Sequence, residues 1–174
     1  MDQLGMVRGW ARRAAIGLAA ALCVTAVGCE GDDGHDGEHT HDTTTATGVC
    51  AGETRGDVYS PGMQVDGAAF HVRLASADPA PPQKGLNAWT LEVVDAAGAV
   101  LPGADITSIT VKPFMTDHNH PSPDDPTIMT TGTTATYQVD GVNLSMAGYW
   151  EITVTVTPAS GDAETFLFAF CVEG

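Results

Sequence analysis

The chain has 174 residues, a formal net charge of −15 and four cysteines. That length allows one domain with a sizeable core beside flanking segments. Such acidity repels nucleic acid and anionic lipid headgroups and favours cations, so nucleic-acid binding is set aside.

The N-terminus reads as an export signal. Arg8, Arg12 and Arg13 supply a positive start, and residues 14–27 form an apolar stretch too short to span a bilayer. It ends in Ala26-Val27-Gly28-Cys29, which resembles a bacterial lipobox whose cysteine becomes the lipidated first residue; Ala26 stands where Leu is usual. Cleavage after Ala26, behind Val24-Thr25, is the competing reading. Lipidation at Cys29 implies a lipid-anchored protein of the bacterial envelope, facing the periplasm or on the outer membrane. Residues 1–28 hold three of the seven basic residues and one of the 22 acidic ones, so their removal leaves a net charge of −17.

Residues 29–48 are acidic and almost free of apolar side chains, which predicts a disordered tether. His35, His39 and His41 lie within it, either as a weak metal-collecting tract or as part of a soluble spacer. The tether is not an EF-hand, because position 12 counted from Asp32 is Thr43 rather than Glu. Once Cys23 leaves with the signal and Cys29 is acylated, Cys50 and Cys171 remain, and in an oxidising compartment they are expected to pair. The alternative is two free thiols.

Residues 49–174 read as one all-β domain. Residues 50–66 look irregular, with Ser60-Pro61-Gly62 as a turn. Ala68, Phe70, Val72 and Leu74 alternate with polar or small residues, as in a half-buried strand, and His71 falls on its outer face. The Pro-rich residues 77–82 predict a stiff extended connection. Trp89, Leu91 and Val93 share one face of the next strand, and Ala96-Ala97-Gly98 makes a turn. Ile109 and Val111 open another. Residues 127–136, rich in Thr, suit a hairpin; Tyr137 and Val139 follow, then Asp140-Gly141 as a turn, then Val142, Leu144 and Met146. Trp150, Ile152, Val154 and Val156 alternate with Glu151, Thr153, Thr155 and Thr157, and Phe166, Phe168 and Phe170 share a face of the last strand. Short strands at this spacing without a long amphipathic helix predict an antiparallel β-sandwich of about seven strands, with Trp89 and Trp150 in its core.

One stretch carries chemistry. In Val111-Lys112-Pro113-Phe114-Met115-Thr116-Asp117-His118-Asn119-His120-Pro121 a strand gives way to a polar turn. Met115, His118 and His120 lie within six residues, and Met146 sits near the end of another strand. Imidazole and thioether donors suit copper, with thioethers favouring Cu(I). Asp117 is the candidate to orient a ligating imidazole. The competing readings are a hydrated polar loop, a His pair that holds the loop by hydrogen bonds, and core packing for Met146 or the less favoured Met129. No Ser/His/Asp or Cys/His arrangement has a local signature, so no enzyme is expected.

Gly85-Leu86-Asn87-Ala88-Trp89-Thr90-Leu91, Asp95-Ala96-Ala97-Gly98, the run from Val111 to His120, and Met146-Ala147-Gly148-Tyr149-Trp150-Glu151 follow one another in an order that resembles YtkA-like (FixH-related) domains of bacterial envelope proteins. The resemblance covers about residues 65–158. It implies an immunoglobulin-like sandwich, often on a lipoprotein or beside copper and respiratory-oxidase functions. Members often carry Met-Pro-x-His-Gly-His; this chain has Thr116 for the Pro and Asn119 for the Gly, which keeps the donors and leaves the shape of the loop open. The expected function is binding or delivery of copper in the envelope through Met115, His118, His120 and Met146. The alternative is a membrane-tethered module without metal that docks on an envelope partner.

Overall fold

The computed structural model describes residues 48–174. The export signal, the lipidation of Cys29 and the tether up to residue 47 lie outside the described residues. What is described is a β-sandwich of nine antiparallel strands with one short 3₁₀ turn at Gly103–Asp105. The strands are β1 (Met63–Asp66), β2 (His71–Asp78), β3 (Gly85–Val94), β4 (Ile106–Met115), β5 (His120–Pro121), β6 (Thr127–Thr130), β7 (Thr136–Leu144), β8 (Gly148–Pro158) and β9 (Glu164–Val172). One sheet has the order β1-β2-β3-β7-β6 and the other β5-β4-β8-β9.

Period-two patterning decides which side chains face the gap between the sheets. On β8 the alternation of Trp150, Ile152, Val154 and Val156 with Glu151 and the threonines buries the first set and leaves the second partly exposed. Trp89 of the first sheet meets Phe168 and Phe170 of the second edge to face, with centroids 6.3 and 5.9 Å apart. Both tryptophans expected in the core are fully buried. Among the described residues Asn87 is the one buried polar residue. Its Oδ1 accepts from the Gln83 N–H, and its Nδ2 donates to the carbonyls of Gln83, Gly85 and Val142. It thereby ties the β2–β3 connection to β7, with its polar atoms partnered as burial requires.

The sandwich differs from the sequence expectation in four places. Residues 63–66 are not irregular: Met63 and Val65 alternate with Gln64 and Asp66 and pair with β2, and residues 68–69 form the bend between the two strands. Asp140-Gly141 is not a turn. β7 runs through it, and the pairing with β3 slips by one there, Asn87 facing Val142 and Ala88 facing Asp140. Gly141, at φ 80°, is the extra residue of a bulge, and so Tyr137 and Val139 and then Val142 and Leu144 all point inward although the period is broken between them. The Pro-rich connection bends at residues 79–81 and carries cis bonds at Asp78-Pro79 and Ala80-Pro81, where a stiff extended connection was expected. Finally, two of the nine strands are additions to the expected seven or so: β1, and the two-residue β5.

The disulfide between Cys50 and Cys171 is present and closes a separation of 121 residues. It belongs to a strap, residues 48–57, that lies along β9 at the edge of the second sheet. Asp57 donates its N–H to the Ala169 carbonyl and accepts the Ala169 N–H at Oδ2, and the Glu173 carboxylate accepts from the N–H groups of Val49 and Cys50. An edge strand whose backbone groups are so occupied offers less of itself to another chain.

Candidate functional site

β4 alternates as the sequence predicts, with Val111, Pro113 and Met115 inward. At Thr116 the pattern ends and the chain turns. The Asn119 N–H donates to the Thr116 carbonyl at 3.2 Å, and β5 returns with His120 opposite Met115 and Pro121 opposite Phe114. The turn needs a left-handed residue at 119, and Asn119 is the only non-glycine residue with positive φ (52°) among the described residues. Asparagine tolerates that conformation better than other side chains. Asn119 therefore suits the left-handed position that this turn requires.

His118 and His120 meet edge to face with ring centroids 5.9 Å apart. Two imidazoles sharing one ion through bonds of about 2 Å place their centroids roughly 5–6.5 Å apart, a range that includes this spacing as it does ordinary edge-to-face packing. The Nδ1 of His120 lies 2.8 Å from the Pro121 carbonyl. A carbonyl only accepts, so Nδ1 carries the proton and Nε2 keeps its lone pair for a ligand. Beneath His120, Met115 is 1 % exposed. Its Cε lies against Gly148, where an added Cβ would stand 2.7 Å away. The hydroxyl of the next residue, Thr116, is buried and has no hydrogen-bond partner among the described residues.

Met146 lies in the connection between β7 and β8 and is 38 % exposed. It reaches the cluster through Trp150. The indole Nε1–H donates to the Met146 carbonyl at 2.9 Å, and the indole ring meets His120 edge to face at 6.1 Å. His118 and His120 thus meet ring to ring, Met115 is the strand partner of His120, and Met146 is linked to His120 through its backbone carbonyl and Trp150. Among the described residues no three His, Cys, Asp or Glu side chains gather to hold a metal ion. The candidate site rests on its thioethers as much as on its imidazoles.

Asp117 goes elsewhere. Both its oxygens accept from Arg55, at 2.8 and 2.9 Å, and the imidazole that is oriented, His120, is held by a backbone carbonyl instead. Arg55 also binds Glu53 and lies over the Tyr149 ring, 4.2 Å from its centroid. The Arg55 hydrogen bonds hold the Asp117 carboxyl below the usual range and bring Glu53 down to about 2, while burial pushes the Tyr149 hydroxyl up. His71 is apart from all this: its Nδ1 lies 3.3 Å from the Gly67 N–H and 3.2 Å from Asp66 Oδ1, and it is half-buried rather than a free surface side chain. A cavity of about 520 Å³ is lined by Tyr59, Pro81, Pro82, Lys84, Phe170 and Glu173 among others, and no candidate metal donor borders it.

Three residues of the site have roles the sequence reading did not give them. Gly148 and Trp150 stood in the quoted Met-x-Gly-x-Trp pattern, but only core packing was expected of Trp150. Arg55 had no local signal, since its partner Asp117 is 62 residues away.

Residues 65–155 match the YtkA-like family model. The chain belongs to the YtkA-like family. The match runs from β1 into β8 and so contains the Met/His loop, Met146, Gly148 and Trp150, while β9 and the strap lie outside it. No curated protein matches the chain. Among solved structures, a DUF4426 family protein from Pseudomonas aeruginosa PAO1 is similar to it, with 12 % identity and a TM-score of 0.45 over 63 % of this chain and 96 % of that one.

Proposed function

We propose that this YtkA-like protein binds or delivers copper in the bacterial envelope, with Met115, His118, His120 and Met146 as its donors. The observation that carries the reading is the imidazole pair beside Met115, 5.9 Å between centroids, with the Nδ1 of His120 committed to a carbonyl and its Nε2 left for a ligand. Two imidazoles hold either oxidation state, and two thioethers add affinity for Cu(I). The protein's own part is to fix the His120 ring, to wall the site with the buried indole of Trp150 and to present Met146 at the surface for exchange. The reading assigns binding and no catalysis. A membrane anchor through Cys29 is supported by the Ala26-Val27-Gly28-Cys29 pattern, and an oxidising compartment by the Cys50–Cys171 bridge.

The burial of Met115 favours a second reading, in which the Met/His loop is structural and the domain docks on an envelope partner without metal. Copper titration separates the two. A chain beginning at Glu30, with His35, His39 and His41 replaced by alanine, is titrated with Cu(I) and Cu(II) against chromogenic chelators. The copper reading expects one-to-one binding that His118→Ala/His120→Ala removes. Binding no tighter than to the double variant would leave the interaction module.

A further inference from the structure

The Met-x-Gly-x-Trp segment does more than end one strand and begin another. Met146 stands outside β7 and β8, in residues 145–147, with no ladder to hold it. Among the described residues the only side-chain hydrogen bond to those three positions is the one from Trp150 Nε1 to the Met146 carbonyl. The fully buried Trp150 indole N–H finds its acceptor in the nearest turn of the chain. The same indole ring stands edge to face with His120 at 6.1 Å. One rigid side chain, locked in the core, therefore touches both the segment that carries the exposed thioether and the imidazole whose Nε2 is free.

We infer that Trp150 is a positioning residue that sets the site's preference for Cu(I) over Cu(II), by pinning the backbone of Met146 and so limiting where its exposed thioether can reach. The inference rests on the copper reading above. The reasoning turns on donor type. His118 and His120 are carried by the β4–β5 turn, which has its own hydrogen bonds and does not depend on residues 145–147. Loosening those residues leaves the imidazoles in place and removes a thioether. Thioether loss weakens a soft cuprous ion far more than a cupric one, which imidazoles satisfy. A merely structural role for Trp150 predicts instead that both affinities fall together.

Trp150→Phe keeps an aromatic ring in the core and removes the N–H donor together with part of the indole ring, so Met146→Leu, which leaves that ring whole, is measured beside it. In the Glu30 chain lacking the tether histidines, this variant is expected to lose 10- to 100-fold in Cu(I) affinity, about the usual cost of removing a residue that orients a ligand, and to keep its Cu(II) affinity. Met146→Leu leaves the core untouched and is expected to reproduce the same selective loss. The double variant is expected to be no weaker for Cu(I) than Met146→Leu alone, because both changes act through one thioether. Equal losses for both ions in Trp150→Phe, or additive losses in the double variant, would overturn the assignment. Should Trp150→Phe fail to fold, unchanged Cu(I) affinity in Met146→Leu overturns it just as well. A parent chain that binds no copper at all removes the metal reading itself, a result distinct from a parent that binds while its selectivity ignores Trp150.

Discussion

Gly148 is where one missing Cβ decides the geometry of the loop. Its φ of 131° is open to glycine and strained for other residues, and a methyl group there would meet the Met115 Cε at 2.7 Å. Met115 is buried against that space, with His120 across the strand pair from it. Gly148→Ala is therefore expected to destabilise the domain by about 1–3 kcal/mol, through overpacking and backbone strain together. Chemical denaturation measures it, and a variant as stable as the parent would show that Met115 has other room. Asn119 makes the complementary point. It takes a left-handed position without being glycine, a conformation that asparagine tolerates.

The strap of residues 48–57 acts as an element although it is no strand. Its Arg55 reaches over Tyr149 to hold Asp117 at the start of the Met/His turn, with Glu53 steadying the guanidinium from behind. The Arg55 hydrogen bonds bring the Glu53 carboxyl from an ordinary 4.5 to about 2 and lower Asp117 as well. A carboxylate with a depressed folded pKa contributes stability that is fully present above its unfolded pKa and is lost as pH falls through the folded one. The clamp is thus complete above about pH 4.5 and should loosen as pH falls toward 2. Amide hydrogen exchange at residues 116–119 is expected to speed up across that window beyond the intrinsic rate. In Arg55→Met those amides should exchange fast at every pH. Loop amides in Arg55→Met that match the parent would mean the clamp does not hold the turn.

At the scale of the whole molecule, the Cys50–Cys171 bridge fastens the strap to the last strand and constrains nearly all of the folded chain in the unfolded state. Closing a loop of that length is worth about 4–5 kcal/mol in the chain-entropy account. Cys50→Ala/Cys171→Ala should lower the denaturation midpoint by a corresponding amount. It should also favour self-association, because a freed strap uncovers the edge of β9. A midpoint close to the parent's would show that the backbone and carboxylate contacts of Asp57 and Glu173 hold the strap unaided.

The sequence by itself determined the all-β class, the inward faces of β3, β4, β8 and β9, the hairpin of β6 and β7, the disulfide and the position of the Met/His turn. Each of these is written in short-range periodicity, in turn residues, or in a count of cysteines, and such signals do not depend on what packs across the gap. The same reasoning missed β1, because two half-buried residues give a strand too weak a pattern, and misread Asp140-Gly141, because a bulge and a turn share the same residue types. The site was half legible. Met115, His118 and His120 stand close in the chain, and any turn gathers them. Only the tertiary structure decided that Asp117 belongs to Arg55, that Gly148 makes room for Met115 and that Trp150 links Met146 to His120. Those contacts join segments on different strands, and which segments meet is fixed by the order of strands in the sheets, which no local pattern encodes.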